Sequence, residues 1–515
     1  MAQDHFHVES LEAFLDDLAD AGFHPVPDSS RTRWTGPIHP AFAGLTTTTT
    51  MDVVIVPGWP FQPPAVFVQG LSSSHYTLNG LVCMWQDGDF SRQWTSLDGL
   101  FSRIEEWCED ARGGWADDSL EHDAYLNFQP KDGLVATIDV VGIGVHEGSW
   151  GEFAGLVNRN PFRVDVLPGR KRSANQLRGL WFHAGVLTTP PPRNLSEVSS
   201  CLQRSPRKGL QRALAERKRP EALLASGGVD LIVFCWKRRD RTNLLVMACR
   251  ELNEEVEAIA LQPGPTDEKS LLVRAGPDAS ALRDRSAVIF GAGALGGYAA
   301  TTLAQSGIGS LRIVDGDVLL PENVVRHVAG HDKVGAPKVK AVQEIIANHA
   351  PWTEVTIFQE APRTPGRIHE LATGVDIAVD TTGSEALTYS LAMVAQDSGV
   401  PVVSGALYRG GGVARVQRQA RPTDTPILQR GDLDRYPPIP PGDGTDEFAE
   451  QNLGCSAPAN NAPPFAVQSC AALIAQVAID ALTERFDFDD EVIEVYRAVG
   501  GPPFDQLGRI AQLIK

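Results

Sequence analysis

The stretch Ser286–Gly307, "SAVIFGAGALGGYAATTLAQSG", decides the fold of the second half of the chain. An apolar run rich in valine and isoleucine stops at a glycine, and helical periodicity starts within four residues. That is a strand turning directly into a helix. The turn carries Gly291, Gly293 and Gly296 in the G-x-G-x-x-G spacing. Glycines there let a backbone come close to a phosphate, and the helix N-terminus favours its negative charge. Taken alone, the pattern points to a dinucleotide-dependent dehydrogenase. The acidic pair Asp315 and Asp317 in "VDGD", some twenty residues on, fits ribose recognition equally well.

Outward from this turn, "SLRIVDGD", "VDIAVDTTG" and "VPVVSGAL" are further apolar strands separated by helices. Alternation of this kind implies a doubly wound α/β domain on a mostly parallel sheet, expected over 276–515. Between about 417 and 465 the composition turns to Pro, Gly, Asp and Asn, and a loop of that length in a compact domain is usually functional or disordered.

The residues between the strands do not suit a dehydrogenase. "ENVVRH" sets Asn323 and Arg326 three apart, "KVGAPKVKA" supplies Lys338, and Asp380 ends the next strand in "DTTGS". This series resembles the ThiF-type activating enzymes, whose fold is shared by ubiquitin-activating enzymes and by activators of sulfur-carrier proteins. The resemblance spans about 282–410. It implies ATP-dependent adenylation of a protein C-terminus, with Gly291, Gly293 and Gly296 as the nucleotide loop. Asp315, with Asp317 beside it, would hold the ribose; Asn323, Arg326 and Lys338 would serve the phosphates, and Asp380 would hold Mg2+. The residue types match that chemistry, because bringing a carboxylate to a polyphosphate needs cationic donors. Gly383 stands where the family has a second aspartate. An arginine ahead of the first strand is also implied, lent across a homodimer; Arg274 is the candidate, with Arg283 and Arg285 as competitors.

The first 122 residues read as α+β: an amphipathic helix in "VESLEAFLDDLADAG", strand-like runs, and a second helix in "LDGLFSRIEEWCEDA". Between them lie "WPFQPPAVFV", His75, "GLVC" around Cys83, and "RQWTSL" opening the helix. These elements resemble the ubiquitin-conjugating enzyme core, in which Cys83 would carry a modifier as a thioester. The family's His-Pro-Asn tripeptide is His75-Tyr76-Thr77 here, which leaves Asn79 as the nearby substitute. Cys455, among small residues in "NLGCSAPANN", is the candidate nucleophile of the activating domain. Cys108 and Cys470, on apolar helix faces, read as core.

A conjugating and an activating domain in one chain resembles the bacterial enzymes of anti-phage operons, CBASS systems among them. The partners this implies are a protein modifier with a reactive C-terminus, either a cyclic-nucleotide synthase or a ubiquitin-like protein, and a target amine. Two other readings stand beside it: a non-catalytic scaffold that binds a modifier-like protein, and a sulfur-carrier activator. Residues 123–275 mix strands with polar helices and show no chemical constellation; the basic run "RSPRKGLQRALAERKRP" reads as a solvated helix face, with a partner-docking face as the alternative.

Composition agrees with this assignment. The 515 residues call for several domains, and 43% apolar residues with ten tryptophans can fill their cores. The net charge of −18 disfavours non-specific nucleic-acid binding. Seven cysteines without a CxxC pair suit a reducing cytoplasm and argue against structural zinc. The N-terminus lacks a signal-peptide pattern, and no unbroken apolar run is long enough for a membrane span.

Overall fold

The computed structural model describes residues 5–27, 29, 32–77, 79–85, 91–115, 124–125, 127–128, 133–171, 173–187, 191–238, 241–441, 448–449 and 459–510. Where the sequence suggests three regions, the chain divides into two units, Met1–Asp267 and Glu268–Lys515.

The first unit begins with helix α1 (His5–Asp20), whose Phe14, Leu15 and Leu18 are buried. An antiparallel meander follows: β1 (His24–Pro25), β2 (Arg33–Pro37), β3 (Thr50–Val54) and β4 (Ala65–Phe67), paired in chain order. Met51 and Val53 face the core while Asp52 between them pairs with Arg33 on β2, as a strand with one wet face requires. Beyond β4 comes the Cys83 loop, and then helix α2 (Leu97–Arg112), which starts where the Ser96 side chain accepts a hydrogen bond from Gly99 N. Leu100, Ile104, Trp107 and Cys108 are its buried face.

The rest of this unit is a closed seven-stranded barrel that the sequence did not announce. Its strands are β5 (Val135–Ile138), β6 (Trp150–Arg159), β7 (Phe162–Pro168), β8 (Leu177–Val186), β9 (Leu231–Arg238), β10 (Arg241–Leu252) and β11 (Glu255–Pro265). The order around the barrel is β10-β11-β5-β7-β6-β8-β9. β8 and β9 are parallel, so the chain must cross over between them, and helices α3 (Leu195–Cys201) and α4 (Arg204–Ala215) make that crossing. β9 is buried on both faces: Leu231, Val233 and Cys235 join one apolar cluster, Ile232, Phe234 and Trp236 another. Helix α4 packs through Leu210 and Ala213 and exposes Arg204, Lys208 and Arg212, as its composition implies.

The second unit holds an eight-stranded sheet: β12 (Ser286–Phe290), β13 (Ser310–Val314), β14 (Glu354–Phe358), β15 (Ile377–Asp380), β16 (Val402–Tyr408), β17 (Val413–Gln419), β20 (Glu491–Val495) and β21 (Gly508–Ile510); two further short strands, β18 (Phe448–Ala449) and β19 (Ala459–Asn460), pair with each other. The order is β14-β13-β12-β15-β16-β17-β20-β21, parallel as far as β16 and antiparallel beyond. The chain winds outward from β12 in one direction and from β15 in the other. A crevice is therefore expected at the carboxyl ends of β12 and β15, where the winding reverses. Its helices of eight residues or more are α5 (Ala294–Gln305), α6 (Lys338–His349), α7 (Pro365–Ala372), α8 (Glu385–Ser398) and α9 (Pro464–Leu482). Among the described residues α9 alone is long and apolar enough to cross a membrane, yet 67% of that apolar window is buried within the protein, where Cys470, Ile474 and Ala478 pack in the main core. β17 runs to Gln419 and a 3-10 turn follows at Ile427–Asp432, so the first part of the Pro/Gly-rich stretch is structured.

Candidate active site

The crevice at the strand ends is a cavity of about 560 Å³, built around the Gly-rich turn. β12 ends on Phe290, and Gly291 takes a φ of 90°, which a β-carbon would resist. A side chain there would also sit 2.9 Å from Thr381 Oγ1, on the neighbouring loop after β15. Gly296 serves a different purpose. A β-carbon on it would fall 1.8 Å from the carbonyl oxygen of Gly291, so only glycine lets α5 pack against the turn. Gly293 has open space where its side chain would be, and it lines the cavity. It caps α5 and, being glycine, adds no capping side chain to the helix start. Amides and helix dipole at this end favour an anion.

The peptide between these glycines is held at both ends. Ala292 N donates to Asp315 Oδ2 at 2.7 Å, and Ala292 O lies 2.8 Å from His327 Nε2. His327 Nδ1 accepts from Ala329 N at 3.0 Å, so the ring is the neutral tautomer that donates from Nε2. Burial lowers its pKa from 6.5, which keeps it neutral. Asp315 Oδ1 accepts from Asp317 N at 2.8 Å. Asp315, placed on the ribose by the resemblance, therefore also fixes the turn.

Two cations reach the same cavity, Arg326 from the 3-10 turn Pro321–Arg326 and Lys338 from the first residue of α6. Arg326 is half-buried, and burial lowers its pKa, so the folded chain holds it partly away from water. Lys338 Nζ donates to Asp317 Oδ2 at 2.7 Å. With the Gly-rich turn and two cations in its lining, the cavity can neutralise a polyphosphate.

Other expected residues lie elsewhere. Asn323 is not among the residues lining the cavity; its Oδ1 accepts from Leu320 N at 3.0 Å and so stabilises the turn that presents Arg326. Arg274 is exposed and does not line the cavity either. Its competitors are engaged, Arg283 with Glu268 and Arg285 with Asp376. Asp380 needs correction as a metal ligand. It is fully buried and accepts from Thr382 N at 2.9 Å, Thr382 Oγ1 at 2.7 Å, Thr388 Oγ1 at 2.6 Å and Ser404 Oγ at 3.1 Å. Four donors occupy both oxygens, and no group of three His, Cys, Asp or Glu among the described residues could hold a metal ion. The residues present do not form a Mg2+ site at Asp380.

Reading the sequence missed His327, although it directly follows Arg326, and it missed the hydroxyls of Thr381, Thr382 and Ser384, which line the cavity beside Asp380. Glu360 also lines it and is held by Arg367 at 2.6 Å.

In the first unit, Cys83 is partly buried and its amide donates to His75 O at 2.8 Å. Asn79 is exposed, and its side-chain oxygen accepts from the Thr77 hydroxyl. Cys108 is fully buried, and burial pushes its pKa up to about 11; Cys470 is likewise buried and pushed up to about 12. Both are core residues, as their helix faces imply. Cys455 lies outside the described residues.

The glycine turn, the clamp on Ala292 and the two cations all fall within one stretch for which relatives are known. Residues 269–495 match the ThiF family. Beyond this domain-level match, 223 residues are 29% identical to the uncharacterized protein y4oA of Sinorhizobium fredii, covering 40% of this chain and 37% of that one. The SAMP-activating enzyme E1 of Haloferax volcanii is 35% identical over 128 residues, 25% of this chain and 47% of that enzyme. The ATP-dependent ubiquitin transferase-like protein Cap2 of Pseudomonas aeruginosa is 30% identical over 129 residues, 24% of this chain and 23% of that protein. The chain spans less than half the length of each of these relatives.

Proposed function

We propose that the ThiF domain adenylates the C-terminal carboxylate of a protein modifier with ATP, and that the acyl group then passes to Cys455, to Cys83 and to a target amine. The observation that carries this reading is the cavity in which Arg326, Lys338 and the Gly-rich turn converge. A carboxylate oxygen attacks the α-phosphorus and pyrophosphate leaves. The chain supplies donors to the charge that builds on those oxygens. A thiolate then attacks the acyl carbon, AMP leaves, and exchange between thiols moves the acyl group on. The names of the Haloferax and Pseudomonas relatives, an E1 and an ATP-dependent ubiquitin transferase-like protein, support a protein as the substrate.

For the second thiol the support is the order helix, four-stranded meander, cysteine loop, helix, together with the motifs around Cys83. The same reading puts the protein in the cytoplasm, where thiols stay reduced, and in anti-phage defence, with a cyclic-nucleotide synthase or a ubiquitin-like protein as the modifier. Exposed Arg274 would complete the cavity of a second copy in a homodimer. A non-catalytic scaffold is the second reading, and the saturated Asp380 carboxylate favours it.

Cys83→Ser tests the choice. Incubated with ATP, magnesium and extract from the source cells, it should trap the modifier as an oxyester that survives reducing agent, to be identified by mass spectrometry. Cys83→Ala should form none. If neither Cys83→Ser nor Lys338→Ala differs from the parent in any adduct, the scaffold reading replaces the enzyme.

A further inference from the structure

Among the described residues the barrel and its crossover show no metal-ligating cluster, yet one arginine reaches the loop that carries Cys83 and a second reaches the tryptophan packed on it. Arg193, just ahead of α3, donates from Nη2 to Ser73 O at 3.2 Å, and its guanidinium lies 5.8 Å from the centre of the Tyr76 ring. The Arg193 end is itself fixed, since its amide donates to Glu197 Oε2 at 2.9 Å. Arg238, the last residue of β9, donates from Nη2 to both Gly114 O and Trp115 O at 2.7 Å.

These two contacts converge on one short segment. Trp115 Nε1 donates to Ser73 Oγ at 2.9 Å, and the Trp115 ring lies 4.1 Å from that of His75. Ser73 is therefore held through its carbonyl by Arg193 and through its hydroxyl by Trp115, and only 8% of it is exposed. His75 sits at a φ of 57°, a left-handed conformation that a histidine keeps only when its surroundings impose it. From His75 the chain turns back on itself: Tyr76 pairs with Val82, Thr77 N donates to Leu81 O at 2.9 Å, and Cys83 N donates to His75 O at 2.8 Å. The path runs unbroken from β9 through Arg238, Trp115 and His75 to the amide of Cys83.

We propose that the barrel sets the conformation of the Cys83 loop, and that Arg193 and Arg238 are positioning residues for that thiol. The role given to the thiol rests on the acyl-carrier reading above; the contacts themselves do not. An arginine donating to carbonyls is suited to the task, because its planar fork loses little freedom on binding. A charge-assisted hydrogen bond that holds a loop closed shifts the opening equilibrium about tenfold.

The test is the rate at which iodoacetamide modifies Cys83 in the full chain, followed by mass spectrometry as a function of pH. Arg193→Ala and Arg238→Ala should each raise that rate about tenfold and move its pH profile, since a loosened loop exposes the thiol. Arg238→Lys, which keeps the charge and can reach a carbonyl, should return most of the parent behaviour. Cys235 and Cys249, buried in the barrel, stay protected if the barrel is folded and so serve as the internal control. A Cys83 rate and profile within about twofold of the parent in both alanine variants, with the barrel cysteines protected, would overturn the proposal. If an alanine variant loses that protection, glutamine replaces alanine at the same position, removing the charge while filling the space: a raised Cys83 rate with the barrel cysteines protected supports the proposal, and a parent-like rate overturns it. Because the readout needs no adenylation, it stands apart from the acyl-carrier reading, which falls only if Cys83→Ala still modifies a target.

Discussion

Lys338 and Asp317 are joined twice: Lys338 Nζ donates to Asp317 Oδ2 at 2.7 Å, and the Lys338 backbone amide donates to the Asp317 carbonyl at 2.9 Å. The two partners are not equivalent. The lysine side chain is 14% exposed and the aspartate side chain 73% exposed. The carboxylate is free to swing into water, whereas the ammonium stays at the cavity, so an arriving phosphate competes with Asp317 for a cation already in place.

Lys338→Ala should accordingly weaken ATP binding and pyrophosphate exchange by about a hundredfold, on the order of 3 kcal/mol. Asp317→Asn, which keeps the backbone bond, should cost less than about tenfold. Calorimetric ATP titration of the two variants checks this; equal losses would show that Asp317 is itself a ligand contact.

The three glycines should separate under substitution. Gly293→Ala has room and an ordinary φ of −79°, so it should melt with the parent while its methyl group obstructs nucleotide. Gly296→Ala would place a methyl group against Gly291 O and should destabilise the fold itself, by about 1–3 kcal/mol as for other overpacked sites. Thermal melts alongside ATP titrations distinguish the two.

Acid should loosen the nucleotide turn through His327. Its folded pKa lies below the unfolded value of 6.5, so the stabilisation is fully present above about 6.5 and is lost as pH falls from there through the folded value. Protonation would put a hydrogen on Nδ1, which now accepts from Ala329 N. ATP affinity should fall between neutral and mildly acidic pH in the parent and stay flatter in His327→Gln. An unchanged slope in that variant would assign the acid sensitivity to other groups.

Thiol labelling under native conditions should sort the cysteines by burial. Cys108, pushed up to about 11, and Cys249 and Cys470, each pushed up to about 12, should resist iodoacetamide at pH 8, while partly exposed Cys83 reacts. Peptide mass spectrometry gives the order directly.

The ThiF domain was legible because its chemistry sits at strand ends that local patterning reveals. Gly291, Gly293 and Asp315 follow a recognisable strand, Lys338 opens a helix and Arg326 closes the short turn between them, and the cavity gathers all five, while Gly296 packs behind the turn. What failed depended on side chains converging from separate elements. Asp380 looks like a ligand in "DTTGS", but Thr388 on α8 and Ser404 on β16 close over it. Asn323 is engaged locally instead, its oxygen accepting from Leu320 N three residues earlier in the same turn. The barrel was illegible for a related reason. Three hairpins, β6–β7, β9–β10 and β10–β11, are local, but the pairings that close the ring are not: β5 pairs in parallel with β11, Val135 opposite Gln262, and with β7, and β8 pairs with β9 across two helices.

That closure has a temporal side. The strand that seals the barrel, β11, ends at Pro265, so as the chain leaves a ribosome β5 waits through some 120 residues for one of its two neighbours. Until then β5 is a naked edge with unpaired backbone donors and acceptors, the kind of edge that other chains can add to. The meander and helix α2 are synthesised long before this point, but Arg238 takes up its final place only with the finished barrel. A nascent chain would thus have made its first cysteine loop well before it could hold that loop in shape.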